Sequence, residues 1–483
     1  MALCLGWKGH FVDASPTNTV MEASMPDSQE EIQIRDTEGT LLLDYVRAVE
    51  TALEENNNAD IRKLAGDIHD ADLADLIEHL RGEQRGELIE ALGEHFNPGT
   101  LSELEEPVRD QVIDAMPNEQ VAEAVRELES DDAVYLLEDL EESEQTDILA
   151  KLPKQERISL QRSLEFPDDS AGRLMQTDFI SVPPFWSVGQ TIDYMRDEED
   201  LPESFSQIWV VDPSHHLIGR VALDRLLRTK RPVSIDDITS TDVNQITAEQ
   251  DQEEVALEFE RYDLMSAPVV DDDGRLLGVV TVDDVMEVLQ EEAEEDIHRL
   301  GGVGDESITD SVFSTTRSRF VWLLVNLVTA VLASWVISLF DATIEQMVSL
   351  AVLMPIVASM GGNAGTQSMT VAVRALATRD LGRVNAVRVV LRETLVGLLN
   401  GLMFALIIGG VAYFWFGSDT LGIVIASAMV INMLVAGLFG ILIPMALDNL
   451  DIDPAVASGA FVTTVTDVVG FLAFLGLAAI WLV

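Results

Sequence analysis

The last third of the chain is a succession of apolar stretches that a water-soluble domain could not bury. They lie near 320–340, 347–373, 390–416, 421–447 and 455–483. Each is long enough to cross a hydrocarbon core of about 30 Å. Inside lipid the backbone must satisfy its own hydrogen bonds, so such stretches predict an all-α membrane domain of five helices over 318–483. The rest of the sequence has the opposite character. Residues 318–483 hold 6 of the 30 Lys+Arg and 9 of the 84 Asp+Glu, which leaves 24 and 75 for residues 1–317. An acidic soluble region therefore precedes the membrane domain. A net charge of −54 argues against nucleic acid as a partner, because phosphate binding needs basic patches. It suits cations. It also suits life in molar salt, where a Debye length of roughly 3 Å screens the self-repulsion and most carboxylates serve only solvation.

Cys4 is the one cysteine, which excludes a disulfide framework and a thiolate metal site. Residues 1–39 read as a disordered tail. The stretch 1–20 lacks the apolar core of a signal peptide, and Met21 or Met25 offers an alternative start.

A helical repeat occupies residues 40–167. Ile68, Leu80, Leu92, Leu104, Met116, Leu128, Leu140, Leu152 and Leu164 fall on every twelfth position without a slip. A second apolar position precedes most of them by a turn of helix, as at Leu76, Leu88, Leu136 and Ile148. A repeat of that length holds one short helix and a turn. Stacked units of this kind bury a continuous seam, which predicts an α-helical superhelix acting as scaffold or docking module.

Residues 168–290 change pattern. Two segments match at one constant offset, with Val210 falling on Val269. The first is Val210-Val211-Asp212 with Leu217-Ile218-Gly219-Arg220-Val221, and the second is Val269-Val270-Asp271 with Leu276-Leu277-Gly278-Val279-Val280. Each reads as strand, acidic turn, strand, with a helix beginning near Asp224 or Asp283. Together with Ser266-Ala267-Pro268-Val269-Val270-Asp271, they resemble a tandem pair of cystathionine-β-synthase (CBS) domains, an α/β regulatory module that in many cases binds adenine nucleotides. The ribose-binding pattern of that family is present as Thr281 and Asp284. Ala222 stands where the first repeat would need its hydroxyl. One half of the pair is thus a candidate for ATP or another adenine nucleotide, and a Thr281 that merely caps its helix stands open beside it. A charged helix from Glu292 to Leu300 follows, ending at Gly301-Gly302, and residues 291–317 connect to the membrane.

Arginines orient the spans. Arg317 and Arg319 precede the first, and Arg374, Arg379, Arg383, Arg388 and Arg392 crowd the link between the second and third. The positive-inside rule puts both places in the cytoplasm, with the C-terminus outside. The acidic link Asp448-Asn449-Leu450-Asp451-Ile452-Asp453 then also lies inside, at the mouth of the bundle. Asp467 sits well inside the fifth stretch, at a depth where a charge costs about 2.5–3.5 kcal/mol. The fourth and fifth stretches hold no Lys or Arg to pair with it. It therefore reads as a residue of a water-filled pathway, or else as a protonated structural acid. In the second stretch, Pro355 and the run Met360-Gly361-Gly362-Asn363-Ala364-Gly365-Thr366-Gln367 predict a loosened helix with free carbonyls and with Asn363 and Gln367 on one face. Close packing of helices through the small residues is the other reading.

Residues Pro355 to Gln367 resemble the second-span signature of the MgtE family of magnesium channels. So does the run from Asp453-Pro454-Ala455-Val456-Ala457-Ser458 through Thr463-Thr464-Val465-Thr466-Asp467-Val468-Val469-Gly470. The order of domains is similar from about residue 40 to the end. The resemblance implies a homodimer in the plasma membrane with the pore on its two-fold axis. It places Asp467 and Asn363 in the pore, at whose mouth the topology above puts Asp453. It makes Glu292, Glu295, Asp296 and Asp284 magnesium-sensing carboxylates. Magnesium takes oxygen ligands and sheds water reluctantly, so a pair of aspartates across a dimer axis suits the hydrated ion. Two other functions fit the same features: a CBS-regulated carrier of another cation or solute, and a membrane sensor without transport. An anion path would want basic residues. An enzyme is not expected, since no Walker loop, nucleophile–base pair or His cluster stands among the seven histidines.

Overall fold

The computed structural model describes residues 34–482 apart from 38, 139, 199, 200, 203, 305–311, 380, 382–384 and 451, and apart from the side chains of 314, 457 and 458. Cys4, Met21, Met25, Arg383, Asp451 and most of the expected tail lie outside the described residues. The chain forms two compact units, Met1–Phe96 and Asn97–Val483.

In the first unit, helices Leu43–Glu54, Asn58–Ala65, Asp70–His79 and Gly82–Leu92 bury one apolar stripe each. Tyr45, Val49, Ile61, Leu76 and Leu88 are among the buried residues. Arg62 Nε donates to the Ala91 carbonyl at 2.9 Å and so closes the end of the fourth helix.

The second unit continues the helical repeat. Helices Glu106–Ala115, Asn118–Glu127, Ser130–Glu138, Glu142–Lys151 and Lys154–Ser163 begin on every twelfth position, in step with the sequence. The periodic residues Met116, Leu128 and Leu152 are the extended residues that end each helix. The better-buried register lies one turn earlier, at Val112, Ala124, Leu136, Ile148 and Leu160. A helix of about three turns or fewer is marginal alone, so these elements owe their existence to that seam.

The CBS pair holds two three-stranded sheets. In the first, β1 (Ser181–Val182) pairs parallel with β2 (Gln207–Val211), which pairs antiparallel with β3 (Leu217–Ala222). In the second, β4 (Ile246–Thr247), β5 (Ser266–Val270) and β6 (Leu276–Thr281) repeat that order. The expected correspondence of the two segments is visible atom by atom. Asp212 Oδ1 accepts from the amides of Ser214 and His216, and Asp271 Oδ1 from those of Asp273 and Arg275. The tight turn needs a positive φ at the equivalent His215 and Gly274, which costs the glycine nothing. The hairpins join reciprocally: the Leu217 amide donates to the Gly274 carbonyl at 3.1 Å, and the Leu276 amide to the His215 carbonyl at 2.9 Å. The repeats are thus related by a local two-fold axis, with Trp209, Val211, Leu276 and Val279 packed between them.

One helix, Val282–Gly301, runs from β6 to the end of the part that precedes the membrane helices. It replaces the two separate helices that the sequence suggested. Gly302, at φ 69°, terminates it.

Five long helices follow: Val312–Ser338, Ser349–Ala377, Ala386–Phe416, Asp419–Asp448 and Pro454–Trp481. Four of them, all but the second, are long and apolar enough to cross a membrane by length and composition among the described residues. The second has 29 residues, about 43 Å at 1.5 Å per residue, and is set apart by its polar residues. It is helical throughout, through Pro355 and Gly361-Gly362, and so is not the loosened span expected. The glycines serve close packing instead. A Cβ at Gly365 would lie 2.5 Å from Val462, one at Gly440 2.7 Å from Ser368, and one at Gly437 2.6 Å from the Glu393 carbonyl. Without side chains at the crossings, the fourth helix sits against the second, third and fifth, and its Val424, Ile425, Ala428 and Met429 form the centre of the bundle core.

Candidate functional site

The second membrane helix is buried on one side at Leu353, Val357, Gly361, Gly365 and Ser368 and exposed on another at Ser359, Asn363, Thr366, Gln367 and Thr370. A stripe of amides and hydroxyls thus faces outward along this helix. Asn363 Nδ2 donates to Ser359 Oγ at 3.5 Å, one turn away. Gly365 packs on Val462 and Thr466, and Gly362 reaches Thr463, so the fifth helix lies along the border of this stripe. Asp467, midway along that helix, is half-buried, and no hydrogen bond or ion pair engages its carboxylate among the described residues. The Thr463, Thr464 and Thr466 hydroxyls donate to carbonyls one turn back in their own helix. An unpaired carboxylate and an exposed amide on adjoining helices can hold a cation through its water.

Asp453 stands at the N-terminal end of the fifth helix. Its Oδ1 accepts from the Ala455 amide at 2.7 Å and caps that helix. Its other oxygen pairs with Arg299 of the connecting helix. The carboxylate expected at the mouth of the bundle is therefore held by protein partners. Leu300, next to Arg299, packs with Met369, Val373, Ala455 and Val462. A second contact ties the CBS pair to the membrane part, where Arg379 pairs with Glu254.

Of the expected sensor carboxylates, Glu295 parts from Glu292 and Asp296. Glu295 pairs with Arg299. Glu292 accepts from Gln252 Nε2 at 3.2 Å, and burial holds its pKa above the ordinary carboxylate range. Asp296 is raised by burial and by Asp453. Between them lies Glu253 of the helix Gln252–Tyr262, pushed up to about 7 by burial and then by Glu292, Asp251 and Asp296.

Asp284 belongs to a different group. It lines a cavity of about 110 Å³ with Asp131, Asp132, Asp169, Glu287 and Glu291. Asp131 is buried, and its Oδ1 has no hydrogen-bond partner among the described residues. Burial, and next the charge of Asp284, raise Asp131 well above its ordinary range and Asp132 to about 7. Burial likewise lifts Asp284 to about 6 against the hydrogen bond from Thr281. No group of three or more His, Cys, Asp or Glu converges at direct metal-binding distance among the described residues. The cavity instead has room for an ion that keeps its water, as magnesium prefers. Asp131, Asp132 and Glu253 were not singled out by the sequence. Among 84 acidic residues nothing local distinguishes them, and their neighbours come from other elements.

Thr281 and Asp284 form a capping box at the start of the connecting helix. Their surroundings divide. Thr281 lines a cleft of about 460 Å³ with Ser206, Gln207, Ser266 and Asp283, whereas Asp284 faces the acidic cavity. Ala222 lines an adjoining space of about 260 Å³ with Arg220 and Arg225. The cleft thus offers hydroxyls, and the arginines line the neighbouring space, where Arg220 Nη1 donates to Gln207 Oε1 at 2.9 Å.

Three family models match the chain. Residues 354–477 match MgtE, described as a divalent cation transporter. Residues 68–169 match the MgtE intracellular N domain, and 171–231 and 235–291 match the CBS domain. The magnesium transporter MgtE of Thermus thermophilus is 32% identical over 455 residues, which span 90% of this chain and 98% of that protein. Its counterpart in Enterococcus faecalis is 35% identical over 328 residues, 68% of this chain and 72% of that one. A solved structure, the cytosolic domain of the Mg2+ channel MgtE in complex with ATP, is 28% identical, covers 50% of this chain and 99% of its own, and superposes with a TM-score of 0.47.

Proposed function

The chain belongs to the MgtE family of divalent cation transporters, and from that premise we propose that it conducts magnesium across the plasma membrane as a homodimer gated by cytosolic magnesium. The observation that carries this reading is the exposed polar stripe of the second membrane helix beside the unpaired Asp467 of the fifth. Such a face is costly in lipid. Apposed to its copy across a two-fold axis it becomes a water-filled path with two carboxylates, enough to balance one divalent charge. Asn363 adds a carbonyl oxygen for the hydrated ion.

The orientation draws support from the two ties to the cytosolic part. Arg379 lies just past the second helix and meets Glu254. Asp453 lies just before the fifth and meets Arg299. Both links therefore belong on the side of the CBS pair, the cytoplasm by the positive-inside rule, and the fifth helix runs outward.

Gating follows from mass action. Carboxylates in the cavity of Asp131, Asp132 and Asp284, and in the group of Glu253, Glu292 and Asp296, repel one another when ionised. A divalent cation relieves both repulsions and favours the compact arrangement, in which Leu300 packs at the cytosolic end of the bundle. A nucleotide in the Thr281 cleft would stabilise the same CBS arrangement, with Thr281 and Ser266 as hydroxyl donors and Arg220 and Arg225 near its phosphates.

Purified protein in liposomes tests the transport reading. Wild type should pass magnesium, and Asp467→Asn, which keeps size but removes charge, should lose flux or selectivity while remaining folded. Wild-type flux through a well-folded Asp467→Asn protein would falsify the pore assignment.

A further inference from the structure

We propose that Asn432 is a positioning residue of the pathway, the amide that fixes how the second and fifth membrane helices present Asn363 and Asp467; this rests on the transport reading above. Asn432 lies near the middle of the fourth membrane helix and is fully buried. Its Nδ2 donates to the Val357 carbonyl of the second helix at 2.8 Å. Two glycines close on the same amide from different helices. A Cβ at Gly361 would come within 2.2 Å of Nδ2, and one at Gly470 within 2.8 Å. Gly361 shortly precedes Asn363 on its helix, and Gly470 shortly follows Asp467 on the other. The amide is thus a wedge where three helices meet, about one turn from both candidate pore residues.

Stability alone does not explain an amide here. Its Oδ1 is buried without a hydrogen-bond partner among the described residues. A leucine, with the same number of side-chain heavy atoms, would avoid that unsatisfied acceptor, whose burial costs about 1–3 kcal/mol. What leucine lacks is the directional bond to Val357. That bond holds the second helix at one rotation and depth, and the bare backbones at 361 and 470 have no side chain that could absorb a shift. Any displacement of the amide therefore passes into the helices that carry Asn363 and Asp467.

The test compares Asn432→Leu with wild type in liposomes, reading magnesium and cobalt flux separately along with the unfolding temperature in detergent. A positioning role predicts that magnesium flux falls by about tenfold and that the magnesium-to-cobalt ratio changes, since a misplacement of about 1 Å alone can cost on the order of a hundredfold. A purely structural role would lower the unfolding temperature and scale both fluxes equally, and that result overturns the proposal. Should Asn432→Leu fail to assemble, Gly361→Ala applies one methyl to the same contact. It should shift the ratio in the same sense, and adding Asn432→Ala to it should relieve the overlap without restoring the wild-type ratio, because the bond to Val357 stays lost. Recovery of the wild-type ratio in that double variant overturns the proposal as well. Loss of flux in Asp467→Asn with unchanged flux and ratio in Asn432→Leu overturns the positioning role alone. Absence of magnesium flux in wild type overturns the transport reading instead.

Discussion

Asp132 and Glu253 keep their protons to about pH 7 because each is buried among other carboxyls. A carboxyl whose pKa is higher folded than unfolded stabilises the fold fully below its unfolded pKa, and that support is lost as pH rises through the folded value. The window for these two groups therefore runs from about pH 4 to about pH 7. Magnesium-free protein should lose thermal stability across it at fixed ionic strength. Asp132→Asn, which cannot ionise, should flatten the fall and unfold a few degrees higher than wild type at pH 8. Saturating magnesium should flatten it in wild type and add less in the variant. An Asp132→Asn protein with the wild-type pH slope would remove Asp132 from the sensing group. Arginines work in the other direction. Arg299 engages both Glu295 and Asp453, so two carboxylates that the sequence offered as ligands already have a cation.

At the scale of elements, the connecting helix touches each part that the proposed gate uses. Asp284 at its start faces the acidic cavity, Glu292 meets the CBS helix, and Arg299 and Leu300 reach the fifth membrane helix. The Arg299–Asp453 pair is about one-third exposed on each side, and exposed pairs contribute about 0–1 kcal/mol. Asp453→Asn should therefore leave the unfolding temperature nearly unchanged while shifting closure to higher magnesium. Closure at the wild-type concentration would reduce the pair to surface decoration. The sequence made several of these elements readable. The spacing of the apolar repeat is the spacing of the helix starts, and the offset between the CBS repeats holds down to equivalent turn hydrogen bonds, because both patterns are local and repeat. The place of Asp467 midway along an apolar helix was readable too, since hydropathy is a property of the stretch itself. What escaped is long-range. Pro355 and Gly361-Gly362 predicted a loosened second helix, yet those glycines meet Asn432 and the fifth helix, contacts that no window of sequence contains. Asp131 looks like any acidic helix start until Asp284, far along the chain, comes to face it.

Across the whole molecule the charge is the dominant fact, with 75 Asp+Glu against 24 Lys+Arg ahead of residue 318. Salt and magnesium both relieve such repulsion, by different physics. Monovalent salt screens every exposed pair, with a Debye length of about 10 Å at 0.1 M and 3 Å at 1 M. Magnesium at low concentration changes the screening little and acts only where carboxylates share a space. The two can be separated by titrating magnesium chloride at constant ionic strength and following protease cleavage of the cytosolic region of the full chain. Specific sensing predicts protection that saturates with magnesium and is not reproduced by potassium chloride of equal ionic strength. Replacing Glu253, Glu292 and Asp296 by Gln, Gln and Asn should then weaken the protection and leave the channel conducting at magnesium levels that close wild type. Glu295→Gln, whose carboxylate is paired with Arg299, should do less than any of the three. If potassium chloride protects as well as magnesium, and the triple variant responds like wild type, the acidic surface serves solvation in a salty environment. The control of the pore would then have to be sought in the cavity of Asp131, Asp132 and Asp284 alone.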